Sequence, residues 1–299
     1  MKRSAAFLVV LLVALAALYF SQRRPHPIAV SANAVVDMVA DAQRDLTRAP
    51  MRFTRLSDEE EITIGNELAQ RYAVTMELTA QEQAYERYIQ RVGLTLGQHT
   101  HRHLPYSFHL VPDRNLMNAF SLPGGHVYVG EGLLDILTSE DQLAFLLGHE
   151  LEHIDHYHCV ERVQLEARLK NLQLDVVGAL VQIPLQVWEA GYTKDEELEA
   201  DREGMHLAVV AGYSPYGAVS LFEKCAKLHD EYVIHARSPE QELSELAMQS
   251  LEGYFRSHPM PSERLAQANS VIAQNGWKDR TNQKPFRIEY EVHNGEYVK

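Results

Sequence analysis

Residues 5–20 form an unbroken apolar run of 16 residues, with Lys2-Arg3 before it and Arg23-Arg24 after it. As a helix this run is roughly 24 Å long at about 1.5 Å per residue, somewhat short of the ~30 Å hydrocarbon core of a bilayer. It is also long for a signal-peptide core of about 7–15 residues. The pattern therefore favours an uncleaved anchor over 1–24, with a removed signal peptide as the alternative. Residues 25–50, punctuated by Pro25, Pro27 and Pro50, read as a linker with a short polar helix. From Ser57 the pattern turns helical: Ser57 and Glu60 make a capping box, and Ile62, Gly65, Leu68 and Ala69 follow at helical spacing. A second helix is expected over about 79–96, with Tyr85, Tyr88, Ile89, Val92 and Leu96 on one stripe. Strands are expected at 108–111 and, after the Gly124-Gly125 pair, at 126–129. Helix is expected to about Gly212 and again over 215–254, and 286–292 alternates with the period of a last short strand. The fold class is α+β, mainly helical, with a small sheet.

Composition changes this picture in two ways. The formal charge is −13, and the first 24 residues hold four bases and no acid, which leaves −17 on the remainder. So acidic a body repels a phosphate backbone, and no nucleic-acid partner is expected. Two cysteines, Cys159 and Cys225, exclude a disulfide-rich scaffold and a cysteine-built zinc finger, and leave one bridge or none. Fifteen histidines are the count that raises the question of metal.

His149-Glu150-Leu151-Glu152-His153 has the H-E-x-x-H arrangement of zinc peptidases. Residues four apart lie one helical turn apart on the same face, so both imidazoles reach one ion. Glu150 projects beside them, where a carboxylate takes a proton from metal-activated water. A helix is expected here, opened by a capping box of Ser139 and Gln142 and carrying an apolar face of Leu143, Leu146, Leu147, Leu151 and Ile154. Glu152 is expected on the opposite side. Two histidines leave room for a third protein ligand, to be sought in the acidic run 196–203. There Glu197 and Asp201 share a face with the small residues Gly204 and Ala208, which allow close helix approach. Spacing makes Glu197 a candidate ligand and Asp201 a candidate acceptor for a ligand imidazole N–H. Glu199 faces elsewhere and is expected in solvent. His101, His103, His156 and His158 are expected in local surface or packing roles.

These residues resemble metallopeptidase family forty-eight, the membrane-associated zinc peptidases that include HtpX, BepA and the CAAX prenyl proteases. The resemblance runs from about Ser57 to Leu265: the opening helix at 57–65, the segment Asn118-Ala119-Phe120-Ser121-Leu122-Pro123-Gly124-Gly125, the paired-histidine helix, the Glu197/Asp201 pair, and His258-Pro259-Met260-Pro261-Ser262-Glu263-Arg264. It implies a zincin-like metallopeptidase domain whose small sheet lies beside the active-site helix. It also implies one zinc per chain, with His149, His153 and Glu197 as ligands and Asp201 as an outer partner. His258 becomes a candidate donor to the developing oxyanion, or a removable fourth ligand, with Arg264 in support. A capping histidine in a Pro-rich loop is the alternative for His258. The resemblance implies the compact, single-anchor form of the family, and neither the repeat-containing extension of the BepA-like members nor the multiple spans of HtpX is expected.

The expected activity is zinc-dependent hydrolysis of peptide bonds in unfolded or misfolded envelope proteins, with Glu150 as general base. Gly125, His126, Val127 and Tyr128 are expected to form an exposed edge on which an extended substrate adds as a strand. The alternative is a non-catalytic, chaperone-like binding protein with a structural zinc. The expected organisation is 1–24 anchor or signal peptide, 25–50 linker, 51–270 metallopeptidase domain and 271–299 C-terminal tail. The expected location is the inner membrane, with the catalytic body in the periplasm or, after signal cleavage, free within it. Oligomeric state is left open.

Overall fold

The computed structural model describes residues 56–73, 78–169, 192–235 and 261–287. The expected anchor, the linker, His258 and residues 288–292 of the expected last strand lie outside the described residues. Among the described residues, no helix is long and apolar enough to cross a membrane. In chain order these residues form α1 (Asp58–Ala73), α2 (Ala80–Gly97), β1 (Ser107–Val111), β2 (Ala119–Leu122), a 3-10 turn (Pro123–Gly125) and β3 (His126–Gly130). There follow the single-turn α3 (Glu131–Leu134), α4 (Glu140–Asp155), α5 (His158–Leu169), α6 (Lys194–Val210), α7 (Tyr216–His235) and α8 (Pro261–Gln274).

The long helices begin as the sequence leads one to expect. Ser57 and Glu60 cap α1 reciprocally, the serine N–H donating to the glutamate at 2.8 Å and the glutamate N–H to the serine Oγ at 3.3 Å. Thr79 with Glu82, Ser139 with Gln142 and Thr193 with Glu196 repeat the device at α2, α4 and α6. The helix expected to run on towards Gly212 breaks after α4. His156 caps it, and Tyr157 turns the chain through a left-handed φ of 64°. The Tyr157 ring lies 3.8 Å from the Arg102 guanidinium, a contact that offsets the unfavourable φ.

The sheet has three strands in the order β1-β3-β2, with β3 parallel to β1 and antiparallel to β2. This corrects two sequence expectations. The segment 119–122, where no strand is expected from the sequence, is itself a strand. As a result β3 is central rather than an exposed edge. His126, Val127 and Tyr128 are paired on both sides and buried, and Gly125 is buried in the preceding turn, so they cannot receive a substrate strand. Gly124 enters that turn at φ 77°, where a side chain would be strained and would meet the backbone of α1.

α4 occupies the centre. It packs against α6, α7, α2 and β2, and every residue from Asp141 to Asp155 is buried. The expected polar side of this helix therefore does not face water. Glu152, placed by helical spacing away from the apolar face, is buried as well. The start of α4 is clipped by Asp141, which accepts backbone N–H bonds from Ser214 (2.6 Å) and Lys284 (2.5 Å). Phe286 adds an N–H bond to Thr138 O at 3.2 Å, so the segment after α8 is fastened to the helix that carries H-E-x-x-H. Cys159 and Cys225 are both buried free thiols.

Candidate active site

α4 and α6 cross at two glycines. A Cβ on Gly148 would stand 2.9 Å from Gly204 O, and one on Gly204 would stand 2.7 Å from His149 N. Only hydrogen at both positions permits this approach, which brings Glu197, two turns before Gly204, to the paired histidines. Nε2 of His149 and Nε2 of His153 are 3.1 Å apart. Glu197 reaches both, with Oε2 3.5 Å from His149 Nε2 and Oε1 3.6 Å from His153 Nε2. Tetrahedral zinc with bonds of about 2.1 Å holds its ligand atoms about 3.4 Å apart. The donor set, two imidazole nitrogens and one carboxylate, and its spacing both fit that ion. The three side chains are essentially buried. Burial opposes charge on His149, but the Asp201 and Glu197 carboxylates outweigh it and push its pKa up to about 9. The surroundings thus draw positive charge to this point.

Each imidazole is held from behind. His149 Nδ1 lies 2.9 Å from Asp201 Oδ1, the outer contact expected for Asp201. Arg264 clamps that carboxylate in bidentate fashion with one edge of its guanidinium, Nε to Oδ2 at 2.7 Å and Nη2 to Oδ1 at 2.5 Å. Burial alone would raise the Asp201 carboxyl; the Arg264 charge and hydrogen bonds, with those of His149, hold it below the usual range. Arg264 therefore supports the site through Asp201 and His149. On the other imidazole, His153 Nδ1 stands 2.9 Å from His158 Nδ1, and His158 Nε2 stands 3.6 Å from Glu199 Oε2. The Tyr192 ring stacks on His153 with centroids 3.7 Å apart.

Glu150 is also buried, and Ser121 of β2 donates its hydroxyl to Glu150 Oε2 at 2.5 Å, with the Glu150 carbonyl at 3.0 Å. The edge of the sheet nearest the catalytic helix is thus β2. Cys159 contacts the same strand, its Sγ 3.8 Å from Ser121 O and 3.1 Å from Tyr192 Oη, and burial pushes its thiol up to about 12.

The structure brings together His149, Glu150, His153, Glu197, Asp201 and Arg264. His258 lies outside the described residues, and of the segment Gly125 to Tyr128 the strand residues pair between β1 and β2, with β2 between them and α4's edge of the sheet. Sequence reasoning missed Ser121, Tyr192 and the role of His158. The position of His158, five residues after His153 and beyond the helix end, carries no helical-face signal, and Ser121 is distant along the chain. Glu199, expected in solvent, is partly exposed yet meets His158.

Residues 80–272 match the profile of Peptidase family M48. The β-barrel assembly-enhancing protease of Escherichia coli K12 is 28% identical over 204 residues, covering 62% of this chain and 38% of that protein. The mitochondrial metalloendopeptidase OMA1 of Arabidopsis thaliana is 30% identical over 171 residues, 54% of this chain and 31% of its own. The metalloprotease LoiP of Escherichia coli K12 is 24% identical over 187 residues, 58% of this chain and 73% of its own. The matched stretch thus spans only about a third of the β-barrel assembly-enhancing and OMA1 relatives. The family match nevertheless covers well over half of this chain and takes in every donor of the converging site: the chain belongs to peptidase family M48.

Proposed function

We propose that this protein is a zinc-dependent endopeptidase that cleaves unfolded or flexible polypeptides of the cell envelope. The observation that carries this reading is the convergence of His149, His153 and Glu197 at separations of 3.1–3.6 Å, with Glu150 on the same helix. Zinc bound by those three residues would lower the pKa of a water molecule and polarise a scissile carbonyl. Glu150 accepts the proton of the attacking water at its carboxylate and passes it to the leaving nitrogen. Ser121 holds the Glu150 carboxylate in one rotamer, so the proton acceptor is oriented before substrate arrives. Asp201 and His158 orient the two imidazoles with Nε2 towards the common point. His258 stands as the donor to the developing oxyanion, on the strength of the H-P-x-x-x-x-R resemblance.

The preference for unfolded substrate has a physical ground. Glu150 is only 2% exposed, so a peptide bond reaches it on an extended segment rather than on the surface of a folded domain. An inner-membrane anchor over 1–24 and a periplasmic body complete the proposal, beside the β-barrel assembly-enhancing role that the E. coli relative's name states for that protein. Mass spectrometry of the native amino terminus checks the anchor: an intact Met1 supports it, and a terminus beyond residue 24 replaces it with signal cleavage.

The test is Glu150→Gln in the full chain. It should keep its zinc and lose cleavage of casein by at least a hundredfold; undiminished cleavage would remove Glu150 from its role. Glu197→Ala should lower the bound zinc while Glu199→Ala should not, and the reverse would move the third ligand. Bound zinc without zinc-dependent cleavage in the unaltered chain would favour a binding protein instead.

A further inference from the structure

The last turn of α4 carries a second group of potential ligands, on a face next to that of His149 and His153. Glu152, Asp155 and His156 occupy positions i, i+3 and i+4, and one donor atom from each lies within 4.8 Å of the other two. Glu152 is 4% exposed, and its buried Oε2 accepts no hydrogen bond. His156 Nδ1, also buried, stands 3.0 Å from that oxygen as its i,i+4 ion-pair partner, so a bound ion would take the place of the imidazole proton between the two side chains. Asp155 is fixed from outside: its Oδ1 accepts the Arg102 N–H at 2.7 Å, and its Oδ2 the His101 N–H at 3.0 Å with the His101 ring at 2.9 Å. A carboxylate offers about four lone-pair sites, so one remains.

We propose that Glu152, Asp155 and His156 bind a second divalent ion of the zinc type. Two buried carboxylates three residues apart repel each other, and a cation between them removes that cost. The helix end adds to the attraction, since the carbonyls of the last turn make a C-terminus favourable for positive charge. One imidazole with two carboxylates suits zinc better than magnesium or calcium, which take all-oxygen shells. The ion is structural. Through Asp155 it ties the end of α4, two residues past His153, to the loop that carries His101 and Arg102.

The test counts zinc by elemental analysis in the full chain, saturated with zinc chloride and then desalted, with folding checked by circular dichroism. The unaltered chain should hold two zinc ions, Glu197→Ala one, Glu152→Gln/His156→Ala one, and the triple variant none. In chelator competition the ion left in Glu197→Ala should need at least tenfold less chelator for removal once Glu152→Gln is added. A single ion in the unaltered chain that survives Glu152→Gln/His156→Ala overturns the proposal, as does a folded Glu197→Ala without zinc. A single ion that survives Glu197→Ala and disappears in Glu152→Gln supports this site while failing the catalytic one. If His156→Ala does not fold, Glu152→Gln alone is read in the same way.

Discussion

In the proposed mechanism Glu150 takes its proton at a carboxylate that Ser121 has already oriented, and Ser121 Oγ also meets the Glu150 carbonyl, so β2 is tied to α4 at this residue. A hydrogen bond to a charged group is worth roughly 1.5–3 kcal/mol. Ser121→Ala should therefore lower kcat by about ten- to a hundredfold, with KM and zinc content little changed; Ser121→Thr should recover part of the loss. Steady-state kinetics beside elemental analysis separates this from simple misfolding, which would lower zinc and kcat together. In the same proposal Asp201 serves the metal rather than the proton. Asp201→Asn keeps the shape but weakens the acceptor for His149 and the partner for Arg264, so zinc affinity should fall about 10- to 100-fold. Chelator competition measures that change, and an unaltered affinity would show that the Arg264–Asp201–His149 chain does not tune the ligand.

Between elements, the decisive feature is the glycine-to-glycine crossing of α4 and α6. Gly204→Ala puts a methyl group 2.7 Å from His149 N, so the helices must part and Glu197 moves with α6. Overpacking of this kind costs roughly 1–3 kcal/mol. Denaturant unfolding should show that loss, and zinc affinity should fall as well; a stable variant with full affinity would contradict the account of how Glu197 reaches the site. The sheet makes a separate prediction. His126 is enclosed between Ser107 Oγ (2.8 Å) and Asn66 Oδ1 (3.0 Å), and burial, with a smaller contribution from His109, pulls its pKa down to about 4. The unfolded chain takes up this proton near pH 6.5 and the folded chain only near 4, so stability is lost as pH falls through that window. The loss is at most a few kcal/mol, at about 1.4 kcal/mol per unit. His126→Gln should flatten the dependence of the denaturation midpoint between pH 6.5 and 4; an unchanged slope would place the sensitivity elsewhere.

At the scale of the molecule, the proposed metal and the fold should be linked, because the buried donors of α4 and α6 come together only in the native state. Zinc at a thousand times its Kd adds about 4 kcal/mol, equivalent to roughly 10 °C in Tm for a chain of this size. Calorimetry with and without chelator should show a shift of that order, and no shift would mean that the converging donors do not hold the ion. The parts of this arrangement that were legible in the amino-acid order are those governed by one helix at a time. His149, Glu150 and His153, the capping boxes at Ser57 and Ser139, and the shared face of Glu197, Asp201 and Gly204 all follow from a 3.6-residue period, which needs no knowledge of the remaining chain. Other features depended on which distant segments meet. β2 escaped notice because four residues in a loop-like context carry almost no periodic signal, and without it β3 looked like an edge. Ser121 lies 29 residues from Glu150, and Arg264 lies 63 from Asp201. The burial of Glu152 and the pairing of His158 with His153 likewise depend on close packing around α4. Spacing along the chain determined which side chains could share a face; only docking of one element on another decided which of them share a point.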